Sequence, residues 1–186
     1  AFDVTEQLKP GRNSIVIGVD ATHEDSSIPT PITDWKTYGG LTRSVYLVTV
    51  PDIYVHDWFV RLESDSRLHA TVRLGGEDAA EQKVSVKIPE LELSLDGESD
   101  ASGVVSLAMD APSGLELWSP ESPKLYDVTI SLADDTVSDR IGFRTVAVDG
   151  NRILLNGEPV FLRGISIHEE ALGEPPSRAF DEESAR

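Results

Sequence analysis

The chain has 186 residues, 39% of them hydrophobic, and a formal net charge of -17, which is enough length and apolar content to bury a core in one large domain or two small ones. Its negative charge repels phosphate backbones and anionic lipid, so nucleic acid and membrane surfaces are excluded as expected partners. With no cysteine, disulfides, thiol nucleophiles and Cys-ligated zinc are excluded too, and no apolar run approaches the roughly 20 residues of a membrane helix.

In chain order, "AFDVTEQLKPGRNSIVIGVD" reads as strand, turn at Pro10-Gly11 and strand. It lacks the basic, apolar and cleavage segments of a signal peptide, so the sequence is expected to begin inside a protein; a cytoplasmic location is a separate expectation. Next comes "TDWKTYGGLTRSVYLVTVP", where Trp35, Tyr38 and Gly39-Gly40 stand beside Asp34 and Arg43. Aromatic faces stack on sugars and a carboxylate accepts hydroxyl hydrogen bonds. The alternative is an ordinary turn with its aromatics packed inward.

Pro51 opens a shift toward acidic composition, which places a boundary near residue 50. The segments "YVHDWFVRL", "RLHATVRL", "KVSVKI", "GVVSLAMD", "YDVTISLA" and "DRIGFRTVAV" follow, separated by the expected turns Gly75-Gly76, Asp96-Gly97 and Ser113-Gly114. Several alternate, as in Lys83-Val84-Ser85-Val86-Lys87-Ile88, which sends one set of side chains inward and the other to water. About seven strands fit between Val55 and Phe143, the number of an immunoglobulin-like sandwich.

A second boundary falls near Arg144. Beyond it, Asn156-Gly157 predicts a hairpin turn, followed by "VFLRGISI", apolar enough to be buried on both faces as in a parallel sheet or barrel. "GEPPSRAF" reads as loop, and "DEESAR" as the acidic first turn of a helix. His168 ends the apolar strand, where a barrel would build its active site and an imidazole can bond a sugar hydroxyl; a surface histidine explains the spacing equally well. Glu169 and Glu170 are adjacent, so on a strand they face opposite ways and cannot act as a catalytic pair. His23, His56 and His69 are scattered, which argues against a histidine metal site.

Three stretches in order, "DWKTYGGLTRSVYL", "LWSPESPKLYDVTISL" and "IGFRTVAVDGNRILLNGEPVFLRGISIHEE", resemble glycoside hydrolase family two, the family of β-galactosidases, β-glucuronidases and β-mannosidases. The resemblance implies a mainly β chain: the end of a jelly-roll sugar-binding domain in 1–50, an immunoglobulin-like β-sandwich in 51–143, and the entry hairpin and first β/α unit of a (β/α)8 barrel in 144–186. It implies substrate-binding roles for Asp34 and His168, and packing and turn roles for Trp118, Pro120, Pro123, Leu125 and Tyr126. At the position after "RG" and one residue, where the family often has Asn, this chain departs with Ser166. The family's two catalytic glutamates match nothing here, so the chain is expected to carry no catalytic residue and to be inactive by itself. The complete enzyme would be a retaining exo-β-glycosidase of the β-galactosidase or β-glucuronidase type, with a carbohydrate substrate, no cofactor and no metal, and a homo-oligomeric state as a further expectation. The rivals are a non-catalytic carbohydrate-binding or adhesive sandwich module and a structural spacer; neither has a use for a barrel entry strand after Arg144.

Charge gives one further expectation. Residues 51–143 hold 19 acidic against 7 basic residues, and the whole chain uses 11 Arg but 5 Lys. Such a surface is either ordinary solvation or an adaptation to high salt, where screening removes self-repulsion. If it is the latter, thermal unfolding followed by circular dichroism should give a melting temperature that rises markedly from low to molar KCl. A flat or falling curve would leave an ordinary acidic surface.

Overall fold

The computed structural model describes residues 2–22, 24, 26–28, 39–41 and 43–166. It divides into two units, one of Ala1–Leu47 with Gly164–Arg186 and the other of Val48–Arg163.

In the second unit, seven strands form between Tyr54 and Ile141, the number expected. They are β1 (Tyr54–Leu62), β2 (Arg67–Gly75), β3 (Lys83–Ile88), β4 (Leu93–Glu98), β5 (Val104–Asp110), β6 (Tyr126–Leu132) and β7 (Asp135–Ile141). They pair antiparallel into two sheets, ordered β1-β2-β5 and β4-β3-β6-β7. Period-two alternation is what drives them together. Leu68, Ala70, Val72 and Leu74 of β2 and Val105 of β5 turn inward from one sheet; Val84, Val86 and Ile88 of β3 and Val128, Ile130 and Leu132 of β6 turn inward from the other. All belong to one continuous core, so the two sheets form a β-sandwich. Each buried Val, Leu or Ile contributes about 1.5–3 kcal/mol relative to exposure, and the intervening Lys83, Ser85 and Lys87 are left on the outer face.

A polar tie also joins the sheets. The register slips between Val55 and Asp57 in β1, and the Val55 N–H freed there donates to Asp135 Oδ2 of β7 at 2.8 Å.

One expected turn is a strand. Asp96-Gly97 lies within β4, where Asp96 pairs with Ser85 and Gly97 with Val84. Glycine is present because the opposite sheet comes too close for a side chain: a Cβ at Gly97 would sit 2.5 Å from Leu107 Cδ2 and 3.1 Å from Val105 Cγ1. The turn falls later, at Asp100, whose carboxylate accepts from Ser102 Oγ at 2.6 Å, Ser102 N at 2.8 Å and Val104 N at 3.0 Å.

After the sandwich, β8 (Val146–Asp149), β9 (Arg152–Leu155) and β10 (Glu158–Val160) form a separate antiparallel meander, ordered β10-β9-β8. The expected Asn156-Gly157 hairpin is its second turn: Leu155 pairs with Glu158, and Asn156 (φ 53°) and Gly157 (φ 84°) both take the left-handed conformation that a tight type I′ turn requires.

Two expectations fail among the described residues. The apolar segments 13–20 and 44–50, expected as strands, form none, and the described regular structure of the first unit is a single 3-10 turn, Thr5–Gln7. Val16 is 95% and Tyr46 79% exposed. Past Val160, residues 161–166 of the expected barrel strand are likewise unpaired, with Phe161 83% exposed. The reason is the same in both places: apolar, extended sequence becomes a strand only when its backbone groups find a ladder partner, and none is found there among the described residues.

Substituting Gly97→Ala should destabilise the sandwich by about 1–3 kcal/mol, because the new methyl overpacks against Leu107. Chemical denaturation should show that cost largely cancelled in the double variant Gly97→Ala/Leu107→Ala, and additive effects would mean the close approach is not the cause.

Asp100 supplies a pH test. Its bonds from Ser102 Oγ, then from the Val104 and Ser102 amides, hold its carboxyl below the usual carboxylate range. A folded-state pKa that is lowered stabilises above the unfolded value, and that contribution is lost as pH falls through the folded one. Asp100→Asn keeps an acceptor but does not titrate. Its stability should therefore decline less steeply below about pH 4 than that of the unsubstituted chain; identical acid limbs in urea titrations would contradict this.

Candidate functional site

The residues expected to touch substrate, Asp34 and His168, lie outside the described residues, as do Trp35, Tyr38, Glu169 and Glu170. What the structure describes is the sandwich and meander on which the chain after Arg144 is mounted.

That mounting centres on the connection from β5 to β6. Here Trp118 N donates to Phe143 O at 2.8 Å, and the Arg144 guanidinium lies 5.4 Å from the Trp118 ring centre. Tyr126 is buried, its ring 5.7 Å from that of Phe143, and its hydroxyl accepts from Glu116 N at 2.8 Å. Ser119 and Ser122 close a turn around Pro120 through Ser119 N to Ser122 O at 3.0 Å, while Lys124 pairs with Glu90 and covers the Tyr126 ring at 4.7 Å. These are the packing and turn roles expected of Trp118, Pro120 and Tyr126, whereas Leu125, also expected to pack, is 36% exposed.

Asn156 joins this loop to the meander. Its Oδ1 accepts from Thr145 N at 3.0 Å and its Nδ2 donates to Trp118 O at 3.0 Å. Its backbone N–H donates to Thr145 O at 2.9 Å. Sequence reasoning found Asn156 as a turn residue and missed it as a clamp. The left-handed φ was legible from Asn-Gly, but a backbone carbonyl 38 positions away leaves no sequence signal.

Elsewhere, a concavity of about 520 Å³ on the outer face of the four-stranded sheet is lined by Lys83, Ser85, Asp96, Glu98 and Ser131. Asp96 and Glu98 stand two residues apart on one face of the edge strand β4; neither is brought to a histidine or to an ion-pairing base among the described residues. The His69 ring lies 3.4 Å from Asp65 on the other sheet. Among the described residues no three His, Asp or Glu side chains converge as a metal site, and no helix is long and apolar enough to cross a membrane.

Comparison with known proteins gives this arrangement a family. The chain is 35% identical over 185 residues to a β-galactosidase of Arthrobacter sp. (strain B7), a match over 100% of this chain and 17% of that protein. It is 31% identical over 189 residues to a putative β-glucuronidase of Formosa agariphila, over 92% of this chain and 22% of the relative. It therefore spans about a fifth of the length of these curated relatives. Among solved structures, a GH2 β-galacturonidase from Eisenbergiella tayi bound to galacturonate aligns with a TM-score of 0.65 and 28% identity, covering 83% of this chain and 29% of that one. Residues 53–144, which take in all seven sandwich strands, match the sequence profile of Glycosyl hydrolases family 2, and the chain belongs to that family.

Proposed function

We propose that this chain is an internal part of a retaining exo-β-glycosidase that removes terminal β-linked sugars, of the β-galactosidase or β-glucuronidase type. The observation that carries the reading is likeness to a β-galactosidase along the whole chain, rather than over the sandwich alone. A free carbohydrate-binding module would have no reason to resemble an enzyme through the meander and beyond it. In this reading, 1–50 is the end of a jelly-roll sugar-binding domain, 51–143 an immunoglobulin-like sandwich, and 144–186 the entry to a (β/α)8 barrel. The strand order β1-β2-β5 facing β4-β3-β6-β7 supports the middle assignment, since an immunoglobulin-like sandwich also sets three strands against four.

The work is divided accordingly. The sandwich and the Asn156 clamp brace the chain where it enters the barrel. Asp34 accepts hydrogen bonds from sugar hydroxyls, and His168 bonds the sugar as the glycosidic bond breaks. Cleavage itself requires two carboxylates about 5 Å apart, one as nucleophile and one as acid and then base. Those glutamates belong to segments outside this sequence, so the 186 residues alone should be inactive.

The test is kinetic. In the complete enzyme, His168→Ala should leave the fold intact and lower kcat/KM about 10²-fold, the worth of about 3 kcal/mol of transition-state hydrogen bonding. Asp34→Ala should raise KM more than it lowers kcat, since its contact is made equally in the ground state. The isolated chain should release no nitrophenol from nitrophenyl β-galactoside or β-glucuronide. Turnover by that chain, or unchanged kinetics for His168→Ala, would overturn the assignment.

A further inference from the structure

The Asn156-Gly157 turn has a chemistry of its own. The chain contains three asparagines, followed by Ser14, Arg152 and Gly157 respectively. An asparagine is thermally labile, most of all before glycine, where no Cβ hinders approach of the next backbone nitrogen to the side-chain carbonyl carbon. Gly157 is exposed, and its N–H donates to no turn or loop acceptor among the described residues. Among the described residues the nucleophile is therefore unengaged, whereas the Asn156 side chain is held at both ends, by Thr145 N and Trp118 O.

We propose that Asn156-Gly157 is a site of spontaneous deamidation, that the clamp sets its rate, and that conversion uncouples the β8–β10 meander from the sandwich. The Gly157 nitrogen loses its proton to solvent base and attacks Asn156 Cγ. A C–N bond forms, the Cγ–Nδ2 bond breaks, and the side-chain nitrogen takes up a proton from water and leaves as ammonia. Water then opens the five-membered imide at either carbonyl, producing aspartate or its isoaspartyl isomer, so that overall one water is consumed and one ammonia released.

The clamp opposes the first step, because Oδ1 and Nδ2 must leave Thr145 and Trp118 before Cγ can turn to the Gly157 nitrogen. The reaction consequently proceeds through local opening. Conversion in turn removes the clamp. An ionised carboxylate has no donor for Trp118 O, where Nδ2 stood at 3.0 Å, so an attraction becomes a repulsion between oxygens. The isoaspartyl product further adds a methylene to the backbone, which a two-residue type I′ turn cannot absorb.

The experiment is to hold the purified 186-residue chain at mildly alkaline pH, folded and in urea, and follow isoaspartate by peptide mapping. Conversion is expected at Asn156 well ahead of Asn13 and Asn151, and at least about ten-fold slower in the folded chain than in urea. Amide exchange on the converted fraction, separated by charge, and on Asn156→Asp should quicken about ten-fold over β8–β10 while β2, β3 and β6 keep their protection. A folded chain that never converts while the urea sample converts fully would overturn the site. Equal rates with and without urea would overturn control by the clamp, and unchanged exchange in the meander would overturn the uncoupling.

Discussion

Everything described in Val48–Arg163 depends on one constraint, the inward stripe shared by β2, β3 and β6. Val86 is fully buried, with Leu95 of β4 on one side and Ile130 of β6 on the other. A slip of one residue in β3 would replace Val84, Val86 and Ile88 with Lys83, Ser85 and Lys87 in the core, so the alternation sets the register. There is no disulfide to share this task. Packing must also hold together a segment with a large excess of acid, and it can do so because the charged side chains stand on outer faces and in turns, where solvent and salt screen them.

The sandwich in turn gives the β8–β10 meander something to be mounted on. Trp118 and Phe143 meet through a backbone hydrogen bond at the end of the sandwich, and Asn156 reaches the same place from the meander. One side chain thereby satisfies an amide and a carbonyl that folding has partly taken from water. Leaving such groups unpaired costs about 1–3 kcal/mol each. The left-handed φ that makes the turn tight also directs the side chain back toward Thr145, so turn and clamp are one device.

Most of the sandwich was legible in the sequence because alternation is a local property: β1 and β3 fall on the residues that the pattern picks out, "YVHDWFVRL" and "KVSVKI". The Asn156-Gly157 hairpin was legible for the same reason, since two left-handed residues in succession are a requirement that two adjacent letters can meet. The candidate site was legible only as a resemblance. Asp34 and His168 are separated by 133 intervening residues, and neither periodicity nor spacing says that they share a substrate.

By itself, then, the sequence determined the strand faces, the register of the core, the hairpin and the segregation of charge, because each follows from the chemistry of residues near one another in the chain. Tertiary structure alone decided that Asp96-Gly97 is strand rather than turn, since the glycine answers to Leu107 and Val105 on the opposite sheet. It alone decided that Asn156 holds Trp118, because a backbone carbonyl is the same in every residue and cannot be read from the letter that carries it. It decided also that 13–20, 44–50 and 161–166, apolar enough for strands, join no ladder among the described residues: a strand is a relation between two segments, and a segment's own residues supply only half of it.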